Sequence, residues 1–153
     1  MNLSANTMKR LLNLYPPYLG AGIRVKQISS DWSEAVVSLK VRWYNRNAVG
    51  THFGGSIYSM IDPHLMLMLM NRLGKDYRVW DQAAEIDYIK ATRKPLTARI
   101  SLSQQQIDEI RRQTANGEKY LPEFEVLLYD SDQTLIARVK KTLYVRKALK
   151  PSA

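Results

Sequence analysis

Residues 47–73 read NAVGTHFGGSIYSMIDPHLMLMLMNRL, and this stretch decides how the rest of the chain must fold. It begins polar and turn-prone, passes through Gly54-Gly55 and runs into the most apolar segment of the protein. Between Ile57 and Met70 only Tyr58, Ser59, Asp62 and His64 are polar, and Leu65 to Met70 are apolar on every face. Leu and Met are good helix formers, and no β-branched run competes with them. A helix that is apolar all round belongs inside a structure. The sequence thus predicts a glycine turn that opens one long central helix, wrapped by the remaining chain, with the methionines in the core. Asp62 is the anomaly, because a carboxylate in such a helix is costly to bury without partners or a task.

On the N-terminal side, residues 4–14 have the pattern of a short amphipathic helix, capped by Ser4 or Asn6 and ended by Pro16-Pro17. Residues 22–29 alternate Ile23, Val25 and Gln27 against Arg24, Lys26 and Ile28. Residues 35–43 give the cleanest strand, with Val37, Leu39, Val41 and Trp43 on one face and Ser38, Lys40 and Arg42 on the other. On the C-terminal side, Gly74-Lys75-Asp76 stops the helix and residues 79–90 are extended. There Ala84, Ile86 and Tyr88 point one way and Glu85, Asp87 and Ile89 the other. A turn at residues 91–95 leads to alternating Leu96, Ala98, Ile100 and Leu102. Residues 103–118 suit a short helix or a protruding loop. Residues 124–129 and 135–146 form a final strand pair, and the chain after Arg146 frays.

One helix cannot cover both faces of a large sheet, so parallel winding fails. An antiparallel sheet curled round a single helix, an α+β architecture, fits the order of elements. Ile89, Leu127 and Ile136 fall on the sheet's other face and suggest pairing with a second copy. Trp32, Trp43 and Trp80 are assigned to packing.

The chain has 153 residues, enough for a real core, and reads as a single domain over residues 1–153. A content of 45% hydrophobic and 24% charged residues argues against disorder. With no cysteine and only His52 and His64, neither a thiol nucleophile nor a metal site is expected, and no cofactor is called for. The opening MNLSANTMKRLL lacks the features of a signal peptide. Residues 57–70 are too short and too polar to span a bilayer. A cytoplasmic protein with no membrane partner is expected. The net charge of +9 favours nucleic acid, anionic membrane or a phosphorylated ligand, or serves plain solubility. No nucleic-acid motif accompanies it, so no nucleic-acid partner is expected.

Asn47, Gly50, Gly54, Gly55 and Asp62 occupy, without a gap, the places of a motif that runs Asn, Gly, then His-Gly-Gly, then Asp. The stretch resembles hotdog-fold acyl-CoA thioesterases of the phenylacetate-pathway type. Phe53 stands where that family has His, with His52 one residue early, and the Phe-Gly-Gly form is similar to a thioesterase-like branch of the same fold. The resemblance implies a hotdog fold, acyl-CoA thioester hydrolysis and an active site across a dimer interface, in a homodimer or a homotetramer built as a dimer of dimers.

On that footing the catalytic residues are Asp62, Asn47 and Gly55. A helix start offers unpaired N–H groups for an oxyanion, and the glycines let a substrate approach the backbone. Asp62 would activate water or attack directly, and Asn47 would orient the water or the thioester. Gly54, His52, Phe53 and Tyr58 are expected to line the substrate site. Arg93 and Lys94 would meet the phosphates of coenzyme A, with Lys90 and Arg138 as weaker candidates. Seven helical residues place Gly55 roughly 10 Å from Asp62, so one carbonyl cannot touch both: either the amide of one chain faces Asp62 of another, or Asp62 is not catalytic, and the resemblance favours the first. Each assignment has a plainer alternative: Asp62 as a local cap beside the Pro63 kink, the glycines as tight packing, Arg93 and Lys94 as a solvated turn. A non-catalytic acyl-CoA or fatty-acyl binding module is the competing function, with a hotdog dehydratase or hydratase ranked below it.

Overall fold

A computed structural model of the chain describes residues 3–148. Helix α1 (Ala5–Leu14) is capped by the Ser4 side chain, which accepts from Thr7 N, and buries Ala5, Met8 and Leu12. Helix α2 (Pro16–Ala21) follows at once, with prolines in its first turn where no N–H is needed. Strands β1 (Ile23–Ile28) and β2 (Glu34–Leu39) come next, then two helices, α3 (Gly54–Ser59) and α4 (His64–Leu73). The second half of the chain holds β3 (Tyr77–Tyr88), β4 (Leu96–Ser101), α5 (Gln104–Gln113), β5 (Lys119–Tyr120), β6 (Glu123–Asp130) and β7 (Leu135–Lys147). All strand pairs are antiparallel, in the order β1-β2-β4-β6-β7-β3, with β5 added beside β7. The sheet stays open and packs on the helical layer, the α+β hotdog arrangement that the resemblance implied.

The core lies between α4 and the inward residues of the strands. Val25, Val37, Leu39, Ala98, Ile100, Val139, Leu143 and Val145 are all buried, on the face that each strand's period of two turns inward. Burial of this apolar face drives the fold, at about 25 cal/mol per Å² removed from water.

Several expectations are corrected. The central helix is not one long rod: residues 60–63 form a turn between α3 and α4. Pro63 has no N–H for the carbonyl of Ser59, which breaks the ladder there. The helix is not covered on all sides either, since Met70 is 37% exposed and Met66 and Leu67 are half-buried. Strand β2 ends at Leu39, and Trp43 is exposed. The cause is Asn45, whose side chain accepts from Arg42 N and donates to Lys40 O and Ala21 O, drawing residues 40–45 into a turn. Trp80 lies on the outer face, stacked on Tyr144 at 4.0 Å. Residues 83–85 of β3 are exposed whichever way they point, because β3 is an edge strand paired, among the described residues, only with β7. Ile136 is buried rather than outward. Of the two forms expected for residues 103–118, the helix is the one found, over residues 104–113, secured by a Ser103–Gln106 capping box and the buried Ile107 and Ile110. Ala148 N donates to Asp76 O, so the chain is still tied down past Arg146, while residues 149–153 of the expected frayed tail lie outside the described residues. Among the described residues no helix is long and apolar enough to cross a membrane.

Strand β1 is the other edge, and α1 closes it. Asn13 Nδ2 donates to Val25 O at 2.9 Å and Asn13 Oδ1 accepts from Val25 N at 2.8 Å, mimicking a neighbouring strand. Asn13→Ala removes both bonds and should lower stability by about 1–2 kcal/mol. Urea unfolding checks this, and a midpoint equal to the wild type would show that the clamp is idle.

Candidate active site

Phe53 is the residue before α3 and is extended, so its carbonyl accepts from Ser56 N and Ile57 N. The amides of Gly54 and Gly55 donate to no described partner. Both glycines are closely approached by aromatic rings. A Cβ on Gly55 would lie 2.5 Å from the Phe53 ring, and one on Gly54 would lie 3.0 Å from the Tyr88 ring, whose hydroxyl donates to Gly54 O. The two residues face different spaces. Gly54, with Asn47, His52, Ile57 and Tyr88, lines a cavity of about 360 Å³. Gly55, with Phe53, Ser56 and Tyr44, lines another of about 400 Å³. The start of α3 therefore stands between two openings.

Asp62 lies in the turn between α3 and α4 and lines neither space. Its Oδ1 accepts from the Tyr58 hydroxyl at 2.9 Å and from Lys141 Nζ at 3.2 Å. Lys141 Nζ also donates to Asp62 O at 2.6 Å and sits 2.8 Å from Asp81 Oδ1. The Lys141 side chain is 0% exposed, whereas those of Asp62 and Asp81 are 47% and 28% exposed. Two carboxylates thus compensate one buried ammonium and keep an edge in solvent. Burial pushes the Tyr58 hydroxyl well above the usual tyrosine range, helped by its bond to Asp62 and the charges of Asp62 and Asp81. Beside this cluster His64 Nε2 and the Tyr18 hydroxyl share a hydrogen bond at 3.0 Å. Burial, and then the charge of Lys141, hold His64 down at about 4, partly opposed by Asp62.

The other expected residues are engaged within the chain. Asn47 Oδ1 accepts from Val49 N and Thr51 N, and its Nδ2 donates to Thr51 Oγ1 and His52 O, so it ties the loop before α3. His52 is buried and its Nε2–H donates to Lys94 O at 2.8 Å; burial lowers its pKa, the carbonyl opposing. Arg93 lies against Gly50 and donates to Val49 O. The Lys94 ammonium is paired with Asp132. Arg138 reaches Glu125, and Lys90 is an exposed residue at the rim of the Gly54 cavity. The fold brings Asn47, His52 and Gly54 together, and separately Phe53 with Gly55 and Tyr58 with Asp62.

Lys141 is the member that sequence reasoning missed. Its signal was present: Val139, Lys141, Leu143 and Val145 share one face of β7 at period two, so Lys141 points at the core. Because either carboxylate can serve Lys141, Asp62→Asn and Asp81→Asn should each cost about 1 kcal/mol, while the double substitution should cost about 3–5 kcal/mol by leaving the ammonium unpaired. A double-mutant cycle in urea tests this, and strict additivity would refute it. His64 supplies a pH dependence. Between its unfolded value of 6.5 and about 4, the unfolded chain binds a proton that the native chain does not. Stability therefore rises with pH across that window and is lost as pH falls from 6.5 toward 4, by roughly 3 kcal/mol. His52 acts in the same direction. His64→Gln should flatten the slope of unfolding midpoint against pH, and an unaltered slope would count against the assignment.

No curated protein matches the chain. Among solved structures, a Pseudomonas aeruginosa protein described as a probable thioesterase has a TM-score of 0.81 at 12% identity, covering 96% of this chain and 98% of that one. A thioesterase from Haemophilus influenzae has a TM-score of 0.69 at 13% identity, covering 100% and 97%. A variant of the phenylacetic acid degradation protein PaaI from Thermus thermophilus has a TM-score of 0.59 at 20% identity, covering 85% and 98%. These likenesses show a shared fold, that of the hotdog thioesterases. Residues 5–145 match the family described as "Domain of unknown function (DUF4442)", and the chain belongs to that family.

Proposed function

We propose that this protein hydrolyses acyl-CoA thioesters, with Asp62 as general base or nucleophile and the backbone amide of Gly55 of the partner subunit as the oxyanion donor. The observation that carries the reading is the pair of unengaged amides at Gly54 and Gly55, set between two cavities on a fold that thioesterases use. The Gly54 cavity has the apolar walls an acyl chain needs, from Ile57, Ile89 and Ile136. The Gly55 cavity then takes the side of the thiol carrier. With Asp62 as base, the oxygen of water attacks the carbonyl carbon, Asp62 takes its proton and the amide holds the oxyanion. The oxyanion then re-forms the carbonyl, the carbon–sulfur bond breaks, and Asp62 returns its proton to the leaving thiolate.

Asp62 lines neither cavity of its own chain, which supports a site completed by a second copy. Three features favour the same requirement: the exposed Met70, the half-buried Met66 and Leu67, and the open edge of β3. The homodimer, alone or doubled into a tetramer, is thus part of the proposal.

A second reading has an observation of its own. Asp62 Oδ1 is spent on Lys141 and Tyr58, which suits a structural counter-ion in a non-catalytic acyl-CoA binding module. Thiol release across short, medium, long and aromatic acyl-CoA esters separates the two. Hydrolysis is expected, with Asp62→Asn lowering kcat by about 10²-fold or more while acyl-CoA still binds. If no ester in the panel yields free thiol, the binding module takes its place.

A further inference from the structure

We propose that the groove between α1–α2 and the outer face of β1–β2 binds the phosphorylated nucleotide end of the thioester's coenzyme A. The proposal rests on the acyl-CoA reading above and assigns the part of the substrate that reading leaves unplaced, because Lys94 is already paired and Arg93 lies against the Gly50 loop.

The alternation of the two strands builds the site. Ile23, Val25, Val37 and Leu39 are buried on the inner face, so Arg24 and Ser38 turn to the outer one, joined in the groove by Lys26 at a β-bulge and Lys40 just past the end of β2. Register sets Arg24 opposite Ser38, and Arg42 follows in the turn that Asn45 imposes. Arg24, Lys26, Lys40 and Arg42 together line a groove of about 470 Å³, walled by Leu14 and Leu19. Among the described residues no carboxylate lines it. Among the same residues none of the four cations takes part in an ion pair, and none of their side chains makes a hydrogen bond within the chain. Four unneutralised cations in one concave space hold a potential that several clustered phosphates would relieve.

The groove also lies where such a ligand must be. Tyr44 lines both this groove and the Gly55 cavity, and the segment 19–22 runs along both, Leu19 and Gly22 facing the one, Gly20 and Ala21 the other. A molecule with its phosphates at Arg24 and Lys40 can pass Tyr44 and present a thioester to Gly55. The half-exposed Tyr44 ring, perpendicular to Trp43 at 5.4 Å, is an aromatic surface against which a purine can stack. Pantetheine has no phosphate, so its esters would forgo all of these contacts.

The test uses binding and turnover together, on the intact protein and on the double variant Arg24→Ala, Lys40→Ala. Calorimetry with coenzyme A, its 3′-dephospho form and pantetheine measures binding, and vesicles of phosphatidylglycerol in phosphatidylcholine provide the rival phosphate source. The double variant should weaken coenzyme A binding by about tenfold or more, given charge-assisted bonds lost at two positions. Wild-type preference for the coenzyme A ester over the pantetheine ester should collapse in KM rather than in kcat, and added salt should mimic the substitution. Coenzyme A affinity within about twofold of wild type overturns the proposal. So does an equal loss for pantetheine, or vesicle binding through these residues that coenzyme A does not displace. A protein that binds coenzyme A through this groove yet releases no thiol sinks the hydrolase and leaves the groove standing. A hydrolase indifferent to both substitutions does the reverse.

Discussion

An ammonium with no exposure to water sits on the core face of β7, and the arrangement of the helical layer follows from it. Lys141 occupies a position that the strand's period would otherwise give to a valine or leucine. Leaving such a charge unpaired costs several kcal/mol, more than a chain of this size can spare from a net stability of about 5–15 kcal/mol. Two carboxylates must therefore be delivered to one point, from elements far apart in sequence. Asp81 arrives on β3, the neighbour of β7. Asp62 arrives from the turn that Pro63 opens between α3 and α4, and presents its backbone carbonyl as well as its side chain. The turn is thereby pinned to the sheet, and with it the direction in which α3 points its free amides.

The cluster explains why an apolar helix carries polar residues at just these places. Tyr58 is one turn before Asp62 and donates to it, while His64 faces Tyr18 on the other side. Each of these polar groups has a partner, so the interior tolerates them. The surface is organised differently. Positive charge is paired along α5, where Arg111 and Arg112 meet Asp108 and Glu109, and among the described residues it is left unneutralised at Arg24, Lys26, Lys40 and Arg42 in the groove beside β1 and β2. An overall charge of +9 therefore understates how uneven the distribution is.

Much of this could be read from residue order, because it follows from local periodicity. The alternating strands, the Ser4 cap and the double glycine before a helix are each decided within a few residues. What escaped was decided by competition between distant parts. Strand β2 stops at Leu39 because Asn45, six residues on, captures the carbonyls of Lys40 and Ala21. The exposed half of β3 has strand-like alternation but no second neighbour among the described residues to bury it. Residue order leaves α5 open between helix and loop, and the local Ser103–Gln106 capping box decides it. For the site, a family resemblance singles out the double glycine and the Asp, whose positions could be read in residue order. That Asp62 answers to Lys141, seventy-nine residues later, could not.

The two borders of the sheet are treated unequally, and this sets a limit on growth. One border is occupied by Asn13, which spends both ends of its amide on the strand it covers. The opposite border, β3, keeps its outward N–H and C=O groups unclaimed among the described residues. A ribbon with one sticky margin and one blocked margin can join a twin about a two-fold axis, and that union uses up the free strand edges, leaving only faces for further contact. Edge-to-edge filaments need two live margins per molecule, and the small polar side chain at position 13 takes one of them away.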